Sequence, residues 1–150
     1  MHHKNLSTIL LSLIFSLFFS LSAQAENSQD FGQYVVHFNA LNTSSLPPQV
    51  TRQYNIKRSK NRGMLNLVVL KKVLGTTGTP VAAKIVASAS NLTGQQRSLE
   101  LRKINEPNAL YYIAEFGISN EETFKFRFLI TPEGETQPLD VRYSHQFYTD

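Results

Sequence analysis

Two histidines, His37 and His145, are the residues best suited to acid-base work or metal binding once the extreme N-terminus is set aside. Imidazole titrates near neutral pH and is the commonest metal ligand. The pair falls on the first and last of the predicted strands, which in many two-sheet folds are neighbours. A carboxylate such as Asp30 or Asp140 could then complete a site. The simpler reading puts His145 at a core edge, because it shares a strand face with Val141, Tyr143 and Phe147.

The other constellations are weaker. A serine and lysine pair for acyl transfer needs a dry pocket that depresses the lysine pKa. Ser59-Lys60 sits among Lys57, Arg58 and Arg62, and adjacent residues on an extended segment point apart. Paired carboxylates of the glycosidase type could come only from Glu115, Glu121 and Glu122. Glu121 and Glu122 follow Ser119-Asn120 and read as turn chemistry, with Ser and Asn bonding local backbone. Glu115 interrupts an apolar strand, and its simplest partner is a cross-strand Lys125 or Arg127. Tyr111, Tyr112, Tyr143 and Tyr148 could line a sugar or peptide groove, although the alternation favours a core with hydroxyls at its margin. There is no Gly-x-Ser-x-Gly elbow, Gly-rich phosphate loop or His-Glu-x-x-His, and no motif asks for a cofactor. The balance is against an enzyme.

Charge is the uneven feature. Residues 31 to 99 contain nine Lys and Arg and no acid, whereas residues 100 to 150 contain nine acids and five bases. The chain therefore carries a +9 segment followed by a −4 segment. The densest run is Lys57-Arg58-Ser59-Lys60-Asn61-Arg62-Gly63. Cations so close repel one another, so they splay into solvent or meet an anion. Such a loop suits an acidic protein, or the phosphate, sulfate or carboxylate groups of an envelope component. The competing reading is a soluble loop whose charge is balanced by the acidic half. Nucleic acid is a poor partner, because the run lacks interleaved aromatics and the chain is expected to be exported.

That expectation rests on the N-terminus. Lys4, an apolar run from Ile9 to Leu21, and Ser22-Ala23-Gln24-Ala25 before Glu26 form the pattern of a signal peptide cleaved after Ala25. The run is broken by Ser12, Ser16 and Ser20 and falls short of the ~20 apolar residues a membrane span needs. Residues 1–25 are thus predicted to be removed, leaving 26–150 as one periplasmic domain. The chain has no cysteine, so stability must come from packing.

The elements that must hold these residues are short alternating runs separated by turns. They predict seven antiparallel strands over residues 31–41, 64–72, 81–90, 97–105, 109–118, 123–131 and 139–148. The sixth alternates most cleanly, with Phe124, Phe126, Phe128 and Ile130 opposing Lys125 and Arg127. On the fifth, Leu110, Tyr112, Ala114 and Phe116 form the inward set while Tyr111 and Ile113 crowd the other face. Pro47 to Asn55 predicts a short helix between the first two strands, with proline in its first turn and Asn55 at a left-handed end. The pattern fits an all-β, seven-stranded, immunoglobulin-like sandwich, with an open β-barrel as the alternative.

So laid out, the chain resembles a family of small secreted bacterial proteins known as domain of unknown function 4426. The resemblance rests on Val36-His37-Phe38-Asn39-Ala40 with Asn42-Thr43, on Arg58 to Gly63 with Leu65-Asn66, and on Pro80-Val81 with Asn91-Leu92. It continues through Tyr111-Tyr112-Ile113-Ala114, Ser119-Asn120-Glu121-Glu122 and Gln146-Phe147-Tyr148. It implies a periplasmic β-rich domain and brings no reaction, ligand or catalytic residue with it. The polar parts of the shared pattern, together with the basic run, give the candidate binding residues: His37, Asn39, Asn42, Lys57, Arg58, Lys60, Asn61 and Arg62. The function expected is a non-enzymatic envelope module that contacts a protein or anionic component through the basic loop or a sheet edge. The alternatives are a small hydrolase or metal-dependent enzyme using His37 or His145, and a structural or chaperone-like accessory protein.

Overall fold

The computed structural model describes residues 27–150, so the leader and the predicted cleavage point after Ala25 lie outside the described residues. Ten strands form two antiparallel sheets. They are β1 (Asn27–Asp30), β2 (Tyr34–Asn42), β3 (Arg62–Lys71), β4 (Thr79–Pro80), β5 (Ala83–Asn91), β6 (Gln96–Leu99), β7 (Arg102–Glu106), β8 (Ala109–Gly117), β9 (Glu122–Pro132) and β10 (Leu139–Phe147). The larger sheet runs β1-β2-β3-β8-β7, with β4 added beside β3, and the smaller runs β10-β9-β5-β6. The sheets remain separate, which sets aside the barrel alternative.

Ten strands replace the expected seven for identifiable reasons. β1 is a polar strand of four residues with no alternating signal, placed by pairing Asn27 to Asp30 with Phe38 to Val35. β4 is a two-residue addition after the Gly75 to Gly78 loop. The segment expected as one strand over residues 97–105 is divided: β6 pairs with β5 in the smaller sheet, and after Glu100 and Leu101 the chain crosses to pair β7 with β8 in the larger one.

Alternation decides what lies between the sheets. Phe124, Phe126, Phe128 and Ile130 of β9 are buried while Lys125 and Arg127 are exposed. They meet Val36 and Phe38 of β2, Leu65, Leu67 and Val69 of β3, and Tyr112, Ala114 and Phe116 of β8. Each such Val, Leu, Ile or Phe side chain contributes about 1.5–3 kcal/mol by leaving water. Phe116 joins the layers, its ring 5.6–5.7 Å from those of Phe124, Phe126 and Phe147 in the facing sheet.

A second, smaller cluster covers the outer face of the larger sheet. It gathers Ile56, Met64 and Ile113, with Leu41, Leu46, Tyr54, Ile104 and Tyr111 against them. Its cover is the segment after β2: a 3-10 turn at Thr43–Ser45 and a helix, α1, at Pro48–Gln53. Proline at the start of α1 loses no helical hydrogen bond there, and Asn55, at φ 52°, turns the chain out of the helix. Among the described residues no helix is long and apolar enough to cross a membrane.

Candidate functional site

The outer face of the larger sheet carries a groove of about 180 Å³ beneath α1. Leu46, Val50, Tyr54 and Ile56 form its wall, and Met64, Asn66, Ile104, Tyr111 and Ile113 its floor. The floor follows from strand register: Asn66 lies opposite Ile113, and Ile104 opposite Tyr111, so their side chains share one face. The lining is apolar except at Asn66 and the two tyrosines. The Oδ1 of Asn66 is buried and has no hydrogen-bond donor among the described residues. A buried acceptor left unmatched costs about 1–3 kcal/mol, which a donor entering the groove would recover.

The rim is cationic. Arg58 donates from Nε to the Leu46 carbonyl at 3.1 Å, and Arg102 from Nη2 to the Tyr54 carbonyl at 2.8 Å, which places two guanidinium groups beside groove-wall residues. The Tyr54 hydroxyl donates to Glu106 at 2.6 Å, and that carboxylate holds the phenol above its ordinary pKa. Glu115 is the acidic node. It accepts the Lys57 backbone N–H at 3.0 Å and Arg62 Nε at 3.2 Å, with Arg102 Nη2 3.8 Å away. The expected cross-strand partners Lys125 and Arg127 are therefore wrong: β8 pairs with β3 and β7, and those two cations belong to the other sheet, where Arg127 binds Asp140.

The basic loop is fixed at its backbone and open at its tips. Thr43, fully buried, donates its hydroxyl to the Lys57 carbonyl at 2.8 Å with the Ser59 carbonyl at 3.1 Å, and accepts the Ser59 N–H at 3.0 Å. The Asn61 carbonyl accepts the Ile118 N–H, and Ser59 Oγ accepts the Asn61 N–H. The Lys57 and Lys60 side chains project into solvent, with no ion pair among the described residues. Charge balance by the acidic half thus reaches Arg62 through Glu115, Lys72 is met by Asp30 instead, and the loop tip stays positive. A Thr43→Val variant keeps the shape and removes the hydroxyl. It is expected to lose about 1–3 kcal/mol in urea denaturation and to speed amide exchange at Ser59; unchanged exchange there would show that Thr43 does not clamp the loop.

The remaining candidates divide. His37 and Asn39 lie on the outer face of β2, with Asn39 directly opposite Asn66 and His37 opposite Ser28 and Val68. Asn42 is occupied structurally, donating from Nδ2 to the Tyr148 carbonyl at 2.7 Å. His145 faces inward on β10, its Nδ1 3.0 Å from the Tyr143 hydroxyl and its ring 4.6 Å from that of Phe147. Desolvation there lowers its pKa. The two histidines thus occupy different sheets and opposite faces, and the expected approach between them is not made. Among the described residues no group of three or more His, Cys, Asp or Glu gathers where it could hold a metal ion. Of the tyrosines, Tyr111 lines the groove, Tyr112 is buried with its hydroxyl accepting the Ala83 N–H, and Tyr148 is exposed. At the Ser119 to Glu122 turn the local bond is made by Glu122, which accepts the Ser119 N–H, while Asn120 reaches Thr149 and Asp150.

The family model described as Domain of unknown function (DUF4426) matches residues 28–150. The chain belongs to the DUF4426 family. A solved DUF4426 family protein from Pseudomonas aeruginosa PAO1 is 35% identical, with a TM-score of 0.72 over 85% of this chain and 98% of its own. Two further structures share the fold at 14% identity. One is FetP of uropathogenic Escherichia coli strain F11, as isolated after expression in the periplasm, with a TM-score of 0.58 over 83% of this chain and 94% of that one. The other is a copper-bound variant of the same FetP, with a TM-score of 0.55 over 82% and 95%. No curated protein matches. For this DUF4426 member, groove and loop together are what the fold builds on its outer face.

Proposed function

We propose that the protein is a non-enzymatic binding module of the bacterial periplasm that captures an acidic segment of a partner protein, seating one apolar side chain in the groove beneath α1. The observation that carries this reading is an apolar groove whose wall and rim are flanked by Arg58, Arg102 and the Lys57 to Arg62 loop, with an unmatched acceptor on its floor. Apolar anchors in desolvated pockets supply most interface energy, and surrounding cations steer an acidic partner and reject basic ones. Export is supported by the leader pattern, and FetP, which shares the fold, was expressed in the periplasm. FetP also has a copper-bound form, but here the histidines lie apart, so the metal-enzyme alternative lacks an assembled site among the described residues.

The test is in-cell photo-crosslinking from Val50 on the groove wall, with exposed Leu92 as the control position. One partner with an acidic segment should be captured from Val50 and lost when Lys57, Arg58 and Lys60 are changed to glutamate. Equal capture from both positions, or capture indifferent to charge reversal, would sink the reading. A second reading rests on β10, which is nine residues long and among the described residues pairs only with β9. Such an edge can accept an extended segment as an added strand, and a crosslinker at Gln146 distinguishes the two.

A further inference from the structure

The outer face of the smaller sheet holds a separate hollow of about 660 Å³. Register places two rows of polar side chains across it. Arg142 lies opposite Arg127, which lies opposite Ser88; two residues along, Ser144 lies opposite Lys125, which lies opposite Ser90, and Ser90 faces Gln96. Neighbouring members of a row are about 4.8 Å apart, and the rows are separated by about 7 Å.

The charges on this face do not balance. Arg127 and Arg142 stand directly across a strand pair, where like charges destabilise a sheet. One carboxylate serves both: Asp140 forms a forked pair with Arg127 at 3.0–3.1 Å and lies 3.7 Å from Arg142. Among the described residues Lys125 has no ion pair, and Arg142 is 73% exposed. Among the described residues, three cations against one acid leave an excess of two on this face. Ser88, Ser90 and Ser144 add hydroxyls that can donate and accept, and Gln96 an amide.

We infer that this hollow binds an anionic saccharide, its phosphate or carboxylate held between Lys125 and Arg142 and its hydroxyls met by Ser88, Ser90, Ser144 and Gln96. A guanidinium offers the forked donors that suit such an oxyanion, and the hydroxyl rows match a polyol better than an apolar chain. The site faces away from the groove beneath α1 and stands without it.

Glucose 6-phosphate, glucose, inorganic phosphate and vesicles carrying lipopolysaccharide serve as probes, read by amide shifts at Ser88, Ser90, Lys125 and Ser144 and by vesicle co-sedimentation. Glucose 6-phosphate or the vesicles should bind, the former indicating a free ligand and the latter a lipid-borne one. Changing Lys125 and Arg142 together to glutamine should weaken binding about tenfold or more. Asp140→Asn, which removes the one acid, should strengthen it. Inorganic phosphate binding as tightly as the sugar phosphate, no binding by any probe, or an affinity unmoved in both variants would overturn the assignment.

Discussion

A Phe116→Ala variant is expected to lose about 3–5 kcal/mol of unfolding free energy, against the ~5–15 kcal/mol that a domain of this size typically has. Phe116 is 5% exposed and is the β8 side chain whose ring meets Phe124, Phe126 and Phe147 of the facing sheet. Two of those contacts are edge-on, an arrangement that adds about 0.5–1.5 kcal/mol beyond area burial. Removing the ring leaves a cavity between layers that the sheets, hydrogen-bonded along their lengths, cannot collapse to fill. Urea denaturation followed by far-ultraviolet circular dichroism measures the loss, since the chain has no tryptophan to report by fluorescence. A loss below 1 kcal/mol would mean that the ring cluster does not hold the layers together.

Gly63→Ala is expected to cost about 1–3 kcal/mol for the opposite reason. A β-carbon at Gly63 would stand 2.8 Å from Phe116 Cε2, 3.0 Å from Ile118 Cγ2 and 3.1 Å from Phe147 Cε1. The glycine that closes the basic run is thus set by its neighbours and not by loop flexibility. The two substitutions are coupled: with Phe116 already alanine, the tightest contact is gone, and the added methyl enters the space left by the ring. The double variant should be more stable than the sum of the single effects predicts by about 0.5–3 kcal/mol. An identical cost of Gly63→Ala in both backgrounds would rule out the clash.

These residues show where sequence patterning suffices and where it stops. The inward sets of β8 and β9 are visible in the alternation alone, because a two-residue period puts every second side chain on the same face. The crowding of Tyr111 and Ile113 on the opposite face of β8 is likewise the trace of the second cluster, and the turn signals at Pro47 and Asn55 mark its cover. What alternation does not encode is which strand lies beside which. Glu115 therefore looked towards Lys125 and Arg127, although β3 and β7 bring it Arg62 and Arg102. The same blindness hid the hollow on the smaller sheet, whose serines and cations come from strands far apart in sequence. The division near Leu101 was also silent: Leu99 and Leu101 both pack on the main core, so a chain that changes sheets keeps the apolar rhythm of one that does not.

That change of sheets has a kinetic consequence. The larger sheet draws on residues 27 to 71, 79 to 80 and 102 to 117, and the smaller on residues 83 to 99 and 122 to 147, so the two are interleaved along the chain. A chain emerging N-terminus first completes the larger sheet while β9, with Phe124, Phe126, Phe128 and Ile130, is still to come. Of the facing sheet only β5 and β6 have then emerged, so most of the inner face waits for the last thirty or so residues. Such distant pairings place folding in the slow, millisecond-to-second range of two-state domains, and until β9 arrives the inner face of the larger sheet lacks Phe124, Phe126, Phe128 and Ile130 to pack against.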